Sequence, residues 1–456
     1  MTQNTRPNIL WVMTDEQRTD SLGCYGSAWA HTPYLDSIAK RGILFECAIT
    51  PSPVCTPART SILSGRYPSQ NGVWWNHNEE EYIEYLTDYF HQQGYLTMSV
   101  GKHHYGSKNQ AFTTESNQVL SDHVDYFSYR DKSLNLSDYD LIQYPPEPYP
   151  WVFGGRFPGR EEETAESSVV GTALHWIDQY ATGARQQPFF MRVSFNGPHT
   201  PVTVPAAFLD AVTEDDIRYP AEVERTSVSS PSWVSDSLAK FSRSRRLTDA
   251  QIRRARYYYY NYVSYIDDQI GKLLHALDSN ELLDQTIIVF LSDHGTHLGD
   301  YGLLQKQTFF PTTVQVPFIV SFPKSWVTNQ RIKTPVAIHS ILPTLLDFIG
   351  CKYPDDTAPS LLPSLLEGLE PESGPVFSEL TLGSFGIRHA DRLVMVRDGD
   401  WKLTLCLDPA PGDGGLYHLP TDPHELANLY RDPDYRDVVA ILTDKILQHV
   451  HKGETA

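Results

Sequence analysis

The hydrophobic positions of this chain form short apolar runs that alternate with longer stretches of helical periodicity. The first run, residues 8–13, stops abruptly at Thr14-Asp15-Glu16, which is typical of a strand buried on both faces. Alternating strands and helices predict an α/β fold with a large doubly wound sheet that is mixed but mostly parallel. The predicted strands cover residues 8–13, 43–49, 96–100, 189–195, 286–291 and 317–322, and the predicted helices cover residues 33–41, 82–93, 165–180, 249–277 and 339–349.

Three polar or irregular stretches interrupt this alternation, at residues 105–163, 198–247 and 354–374. The first two are too long for ordinary connections, and long loops in compact domains usually form functional walls or lids. The third is rich in proline and indicates a domain boundary.

The pattern changes after that boundary. Two short apolar runs, residues 393–396 and 401–405, flank Arg397-Asp398-Gly399-Asp400, which is a hairpin signal, and a helical pattern follows at residues 436–449. We therefore expect a large catalytic α/β domain over residues 1–369 and a smaller, antiparallel C-terminal α+β domain over residues 370–456.

Composition and charge narrow the function classes. The chain has 456 residues, of which 40% are apolar and 20% charged, and this balance excludes disorder, collagen and coiled coil. A net charge of −19 disfavours nucleic acid, which needs a basic face on the protein, and also disfavours an anionic membrane as partner. The apolar run at residues 9–13 is too short for a signal-peptide core, so we expect a cytoplasmic protein. Five cysteines without paired spacing indicate neither a disulfide framework nor a zinc site.

The predicted strands of the large domain end in residues with carboxylate, imidazole or cationic side chains. In a doubly wound sheet, ligands bind beyond the carboxyl ends of the strands. Two acidic strand ends side by side repel each other unless a cation lies between them, which favours a metal site. The strand ends read Asp15-Glu16, residues 51–59, Gly101-Lys102-His103-His104, Asn196-Gly197-Pro198-His199 and Ser292-Asp293-His294-Gly295.

Cys55 lies close to a predicted helix start. Pro57 suits the first turn of a helix, which places Cys55 beside the positive end of the helix dipole, and Arg59 adds a cation one turn away. A lone cysteine is normally a small buried hydrophobe. These two features instead make Cys55 a candidate reactive group.

Several motifs together resemble a known family, the type I (formylglycine-dependent) sulfatases of the alkaline phosphatase superfamily. The segment Pro53-Val54-Cys55-Thr56-Pro57-Ala58-Arg59, closed by Gly65, is similar to their Cys-x-Pro-x-Arg signature. The segment ending in Gly101-Lys102-His103-His104 resembles their second signature, except at His103, where the family usually has an aromatic residue or Met. The Asp293-His294 pair, Lys306 and the tail Leu416-Tyr417-His418-Leu419 extend the resemblance over nearly the whole chain.

The resemblance implies a modified residue and a metal. A formylglycine-generating maturation enzyme would convert Cys55 to Cα-formylglycine, whose hydrated form is a gem-diol. The expected cation is Ca²⁺, with Mg²⁺ or Mn²⁺ as alternatives, because hard oxygen ligands suit these ions and a thiolate does not. The family usually has a second aspartate where this chain has Glu16, which is one methylene longer. The implied ligands are Asp15, Glu16, Cys55 as its gem-diol, Asp293 and His294.

The resemblance also implies the reaction. One gem-diol hydroxyl, deprotonated by Asp293, would attack sulfur and form a covalent sulfo-enzyme intermediate. His199 would protonate the leaving oxygen, and His104 would take the proton from the second hydroxyl, which expels sulfate. The side chains expected to hold the sulfate oxygens are Arg59, Lys102 and Lys306.

Other functions stay open at this stage. A phosphonate monoester or phosphodiester hydrolase on the same fold would bind a phosphoryl monoanion that resembles a sulfate ester in charge and shape. A non-catalytic anion-binding protein is the other interpretation, although no catalytic group is obviously deleted. We expect a small organic or sugar sulfate as substrate, and the sequence leaves the oligomeric state open, a homo-oligomer included.

Overall fold

The fold is described from a computed structural model over residues 6–76, 78, 80–116, 142–143, 152–183, 187–217, 231, 248–323, 329–381, 392–407 and 413–455. The strands there are β1 (Asn8–Thr14), β2 (Ile43–Phe45), β3 (Ala48–Ile49), β4 (Leu96–Gly101), β5 (Thr114–Ser116), β6 (Ile142–Gln143), β7 (Val152–Arg156), β8 (Phe189–Ser194), β9 (Val202–Val204), β10 (Thr286–Ser292), β11 (His297–Leu298), β12 (Leu304–Gln305), β13 (Gln315–Val316), β14 (Phe318–Ser321), β15 (Gln330–Ile332), β16 (Val336–Ala337), β17 (Val376–Thr381), β18 (Arg392–Asp398), β19 (Trp401–Cys406) and β20 (Gly414–His418).

The helices alternate with these strands as the sequence predicts. None in the described ranges is long and apolar enough to cross a bilayer. They are α1 (Pro33–Arg41), α2 (Cys55–Ser64), α3 (Pro68–Asn71), α4 (Thr87–Gln92), α5 (Ala165–Thr182), α6 (Asp249–Ser279), α7 (Pro311–Val314), α8 (Ile341–Phe348), α9 (Leu362–Glu367) and α10 (Arg436–Thr455).

An eight-stranded sheet organises the large domain, in the order β15-β2-β14-β10-β1-β8-β4-β5. The central strand β1 pairs in parallel with β10 on one side and β8 on the other, and β4 continues the parallel part beyond β8. Alternate residues of β1 enter two different cores: Leu10 and Val12 pack with α1, α5 and α6, whereas Ile9 and Trp11 pack with α2 and α8. Helices therefore cover both faces, which confirms the predicted doubly wound α/β fold.

Two predicted elements differ from the structure. The single strand expected at residues 43–49 is divided at Glu46, whose carboxylate pairs with Arg331 at the sheet edge, and β3 joins a separate sheet with β13 and β16. The helix expected at residues 82–93 starts only at Thr87, because Leu86 instead donates its backbone N–H to the carbonyl of Leu63 at the end of α2. Both differences arise from contacts with distant parts of the chain.

An antiparallel four-stranded sheet, β17 to β20, and helix α10 end the chain, and β18 and β19 form the predicted hairpin. Leu442 and Ile446 of α10 cover one face of this sheet. The other face packs on the large domain, where Leu380 and Met395 share an apolar cluster with Val54. The C-terminal sheet thus lies against the segment that leads into Cys55. The expected boundary between residues 369 and 370 falls between α9 and β17.

Candidate active site

Cys55 is the first residue of α2, a helix whose ten residues are all buried. Its Sγ lies 3.0 Å from Lys306 Nζ and 3.2 Å from His294 Nε2, and it also hydrogen-bonds His104. Burial raises the pKa of the Cys55 thiol, but Lys306, Lys102 and His294 outweigh burial and hold this pKa well below its usual range. The surroundings of position 55 therefore favour a negatively charged group.

Two buried carboxylates face position 55 from the ends of β1 and β10. The Arg59 guanidinium joins them, with Nε 2.7 Å from Asp293 and Nη2 3.2 Å from Asp15. Its Nη1 donates to the carbonyl of Lys102 at 3.0 Å and to the Ser194 hydroxyl at 2.8 Å. Every guanidinium nitrogen thus has a protein partner, so we assign Arg59 to orienting the carboxylates. The expectation that Arg59 holds sulfate oxygens stays a prediction.

The donor set around position 55 fits a hard divalent cation. One ligand atom from each of Asp15, Cys55, Asp293 and His294 lies within 4.8 Å of the others, and all four residues are buried. Burial and the neighbouring Asp15 charge raise the pKa of Asp293. Burial lowers the pKa of His294, but the Asp293 charge outweighs burial and raises this pKa to about 9. A cation would supply the positive charge these carboxylates need. An oxygen at position 55 would suit Ca²⁺, Mg²⁺ or Mn²⁺, and a sulfur would not.

Glu16 is outside this donor set, although its carboxylate lies within 4.8 Å of a carboxylate oxygen of Asp15. Its backbone has a φ of +64°, a left-handed conformation that turns the chain sharply after Asp15. Its carboxylate makes an ion pair with Lys306 and lies 3.4 Å from His199 Nε2, so Glu16 groups with Asp15 and His199 instead. The prediction that Glu16 is a metal ligand stays a prediction.

Lys102 and His104 approach position 55 from the end of β4. The Lys102 ammonium makes an ion pair with Asp15, and its backbone N–H donates to Ser194 at 2.8 Å. Burial lowers the pKa of His104, the Cys55 hydrogen bond opposes this, and Lys102 lowers it further. All predicted site residues are thus brought to one edge of the sheet, the carboxyl edge that the strand-end argument predicts.

Sequence reasoning missed two side chains that support the site. The Tyr259 hydroxyl donates to the Glu16 carbonyl at 2.7 Å and accepts the N–H of Arg18 at 3.0 Å, which holds the turn after β1. The Ser194 hydroxyl accepts from Arg59. The available signals were a run of four tyrosines at residues 257–260 in a helix and a serine at the end of an apolar strand.

Comparison with known proteins matches nearly the whole chain. Residues 7–351 match the family model described as Sulfatase, and residues 299–452 match that of N-sulphoglucosamine sulphohydrolase, C-terminal. The choline-sulfatase of Rhizobium meliloti (strain 1021) is 29% identical over 453 residues, which cover 94% of this chain and 83% of that protein.

Solved structures with low sequence identity share the fold. One, in complex with its substrate D-glucosamine-2-N,6-O-disulfate, has a TM-score of 0.77 at 21% identity and covers 99% of both chains. The phosphonate monoester hydrolase of Agrobacterium radiobacter has a TM-score of 0.81 at 23% identity and covers 98% of this chain and 96% of that one.

Proposed function

Because this chain belongs to the sulfatase family and is a sulfuric ester hydrolase, we propose that it cleaves small organic or sugar sulfates using Cα-formylglycine at position 55. The observation that carries the proposal is the environment of Cys55. This small side chain is buried at a helix start, in contact with Lys306 and His294 and opposite two carboxylates. Cations around a site from which water is excluded stabilise an anionic group far better than cations in water do.

Two groups complete the proposed site. A hydrated formylglycine supplies a nucleophilic oxygen, and a divalent cation supplies positive charge at the sulfate oxygens. Asp15, Asp293 and His294 would hold the cation, with Ca²⁺ as first candidate and Mg²⁺ or Mn²⁺ as alternatives. The proposal also requires a formylglycine-generating maturation enzyme as partner.

Lys102 and Lys306 bind the sulfate group in this proposal. Both are buried, and Lys306 Nζ lies 3.0 Å from the position 55 side chain. In the unmodified chain, burial lowers the pKa of Lys306, but Cys55 and Glu16 outweigh burial and raise it above its usual value. Fixed ammonium groups stabilise the negative charge that develops on the sulfate oxygens as the ester bond breaks.

His199 serves as the acid for the leaving oxygen. Its Nδ1 lies 2.6 Å from the Thr200 carbonyl, which only accepts hydrogen bonds, so Nδ1 carries a hydrogen and Nε2 is the nitrogen directed towards Glu16 and the site. His104, which hydrogen-bonds the position 55 side chain, is the base that removes a proton there when sulfate is released.

A substrate panel tests the proposal. Protein whose formylglycine content is confirmed by mass spectrometry is assayed with 4-nitrophenyl sulfate, choline sulfate, glucosamine 6-sulfate and phenyl methylphosphonate, with Cys55→Ala as the matched control. We expect kcat/KM to be highest on one of the sulfates and to be lost in Cys55→Ala. A clear preference for the phosphonate would favour the competing phosphonate monoester or phosphodiester hydrolase function, and full activity with an unmodified thiol would refute the formylglycine.

A further inference from the structure

A buried carboxylate with no role in the proposed chemistry contacts the loop that carries His199. Glu166 is the second residue of α5 and only 2% exposed. Its Oε1 accepts the backbone N–H of Gly197 at 3.1 Å. Its carboxylate also accepts from the N–H of Asn196, from its own N–H and from the Tyr262 hydroxyl. The donors therefore come from α5, from α6 and from the loop after β8.

Gly197 is held by three contacts: with Glu166, with Asp15 and with helix α6. Its N–H donates to Glu166, and its carbonyl accepts the N–H of Asp15 at 3.1 Å. A Cβ on Gly197 would lie 2.4 Å from Tyr262 Cε1 and 2.8 Å from Ile266 Cδ1, so the backbone packs directly on α6. The loop therefore has one position in which all three contacts form, and in that position it is tied to the strand end that carries Asp15.

His199 follows two residues later, with its N–H 3.3 Å from the Asn196 carbonyl. We propose that Glu166 is a positioning residue that sets where the His199 imidazole stands relative to the leaving-group oxygen. The inference rests on the proposed function, in which His199 is the acid. Proton transfer requires hydrogen-bond distance between the heavy atoms, and a displacement of about 1 Å costs on the order of 100-fold in rate.

The test compares aryl sulfates of rising leaving-group basicity, from 4-nitrophenyl sulfate to 4-methoxyphenyl sulfate. A nitrophenolate leaves with little help from an acid, so Glu166→Ala should lose less than about 3-fold in kcat on it but about 100-fold on the methoxyphenyl ester. Glu166→Gln keeps one accepting oxygen for Gly197 and should lose about 10-fold on the methoxyphenyl ester. It also serves as the test variant if Glu166→Ala does not fold.

A matched control separates positioning from general stability. Thr164→Ala removes the N-cap of the same helix, where the Thr164 hydroxyl accepts the N–H of Ser167 at 3.1 Å, and leaves the contacts of Glu166 with the loop in place. It should lower the melting temperature without any dependence on the leaving group. In a His199→Ala background, Glu166→Ala should add less than about 3-fold, because the acid that it positions is already gone.

Each outcome decides between two explanations. If Glu166→Ala lost kcat equally on all esters and its melting temperature fell as well, the positioning role would be overturned. It would also be overturned if the double variant of Glu166→Ala and His199→Ala showed the full product of the two single losses. Failure of the proposed function is distinguishable, since the wild-type enzyme would then hydrolyse none of the sulfates.

Discussion

Arg59→Lys tests how the site holds two like charges together. The guanidinium contacts Asp293 and Asp15 through different nitrogens and also donates to the Lys102 carbonyl and the Ser194 hydroxyl. A lysine carries the same charge on one compact ammonium and cannot reach both carboxylates at once. The substitution therefore changes geometry while it keeps the net charge.

The contacts give the size of the effect. If the lysine keeps one carboxylate, the variant loses the other ion pair and at least one further hydrogen bond from a charged donor, each worth about 1.5–3 kcal/mol. A carboxylate left unpaired in a fully buried site adds desolvation cost, so we expect a loss of about 3–5 kcal/mol in the free energy of unfolding. Because the guanidinium contacts Asp15 and Asp293, the proposed metal ligands, calcium affinity should fall roughly 10- to 100-fold.

Urea unfolding followed by tryptophan fluorescence, with and without calcium, measures the first quantity, and calorimetric calcium titration measures the second. Ser194→Ala is the control, since it removes one acceptor of the guanidinium but leaves both carboxylate contacts in place; it should cost about 1.5–3 kcal/mol and leave calcium affinity unchanged. Saturating calcium should return part of the lost stability, because it binds only the folded state. A loss below about 1 kcal/mol with unchanged calcium affinity would show that Arg59 does not organise the carboxylates.

Four further substitutions examine the roles of other site residues. Cys55→Ala should abolish turnover yet shift the free energy of unfolding by less than about 2 kcal/mol, since the small side chain contributes little packing; unfolding curves and activity assays check this. Asp15→Asn should lower bound metal, measured by elemental analysis, together with activity, whereas Glu16→Gln should keep the metal and lose activity through Lys306 and His199; equal metal loss in both would make Glu16 a ligand. His199→Ala should lose about 100-fold more rate on an alkyl sulfate than on 4-nitrophenyl sulfate, and a uniform loss would contradict its role as acid.

The sequence was informative about the site because the site is made of strand ends. An apolar run that stops sharply precedes each of Asp15, Lys102 and Asp293. Parallel strands bring such ends to one edge of the sheet, independently of the loop sequences. The direction in which a side chain points from that edge is a different matter. The Glu16 backbone is left-handed and its carbonyl accepts from Tyr259 of α6, and no local pattern encodes a contact across more than 240 residues.

The same limit explains the supporting residues. Glu166 has the pattern of an ordinary acidic residue in the first turn of a helix, where a solvated carboxylate is the usual expectation. Its burial follows from the packing of α5 against α6 and the loop after β8. Arg59 was found from its motif, but its role depends on both carboxylates lying on one side of it, which only the assembled sheet determines.

The burial of α2 sets a time limit on the conversion proposed at position 55. Once the helix has packed, no enzyme can reach the thiol at position 55, so any conversion must precede folding of the large domain. The contacts that enclose Cys55 include Lys306, about 250 residues further along the chain. At translation rates of about 5–20 residues per second, the cysteine is made roughly 12–50 s before its last neighbour. In the proposed function, the yield of active enzyme in a given host therefore depends on whether Cys55 is oxidised before the rest of the chain is made, and slower translation should raise that yield.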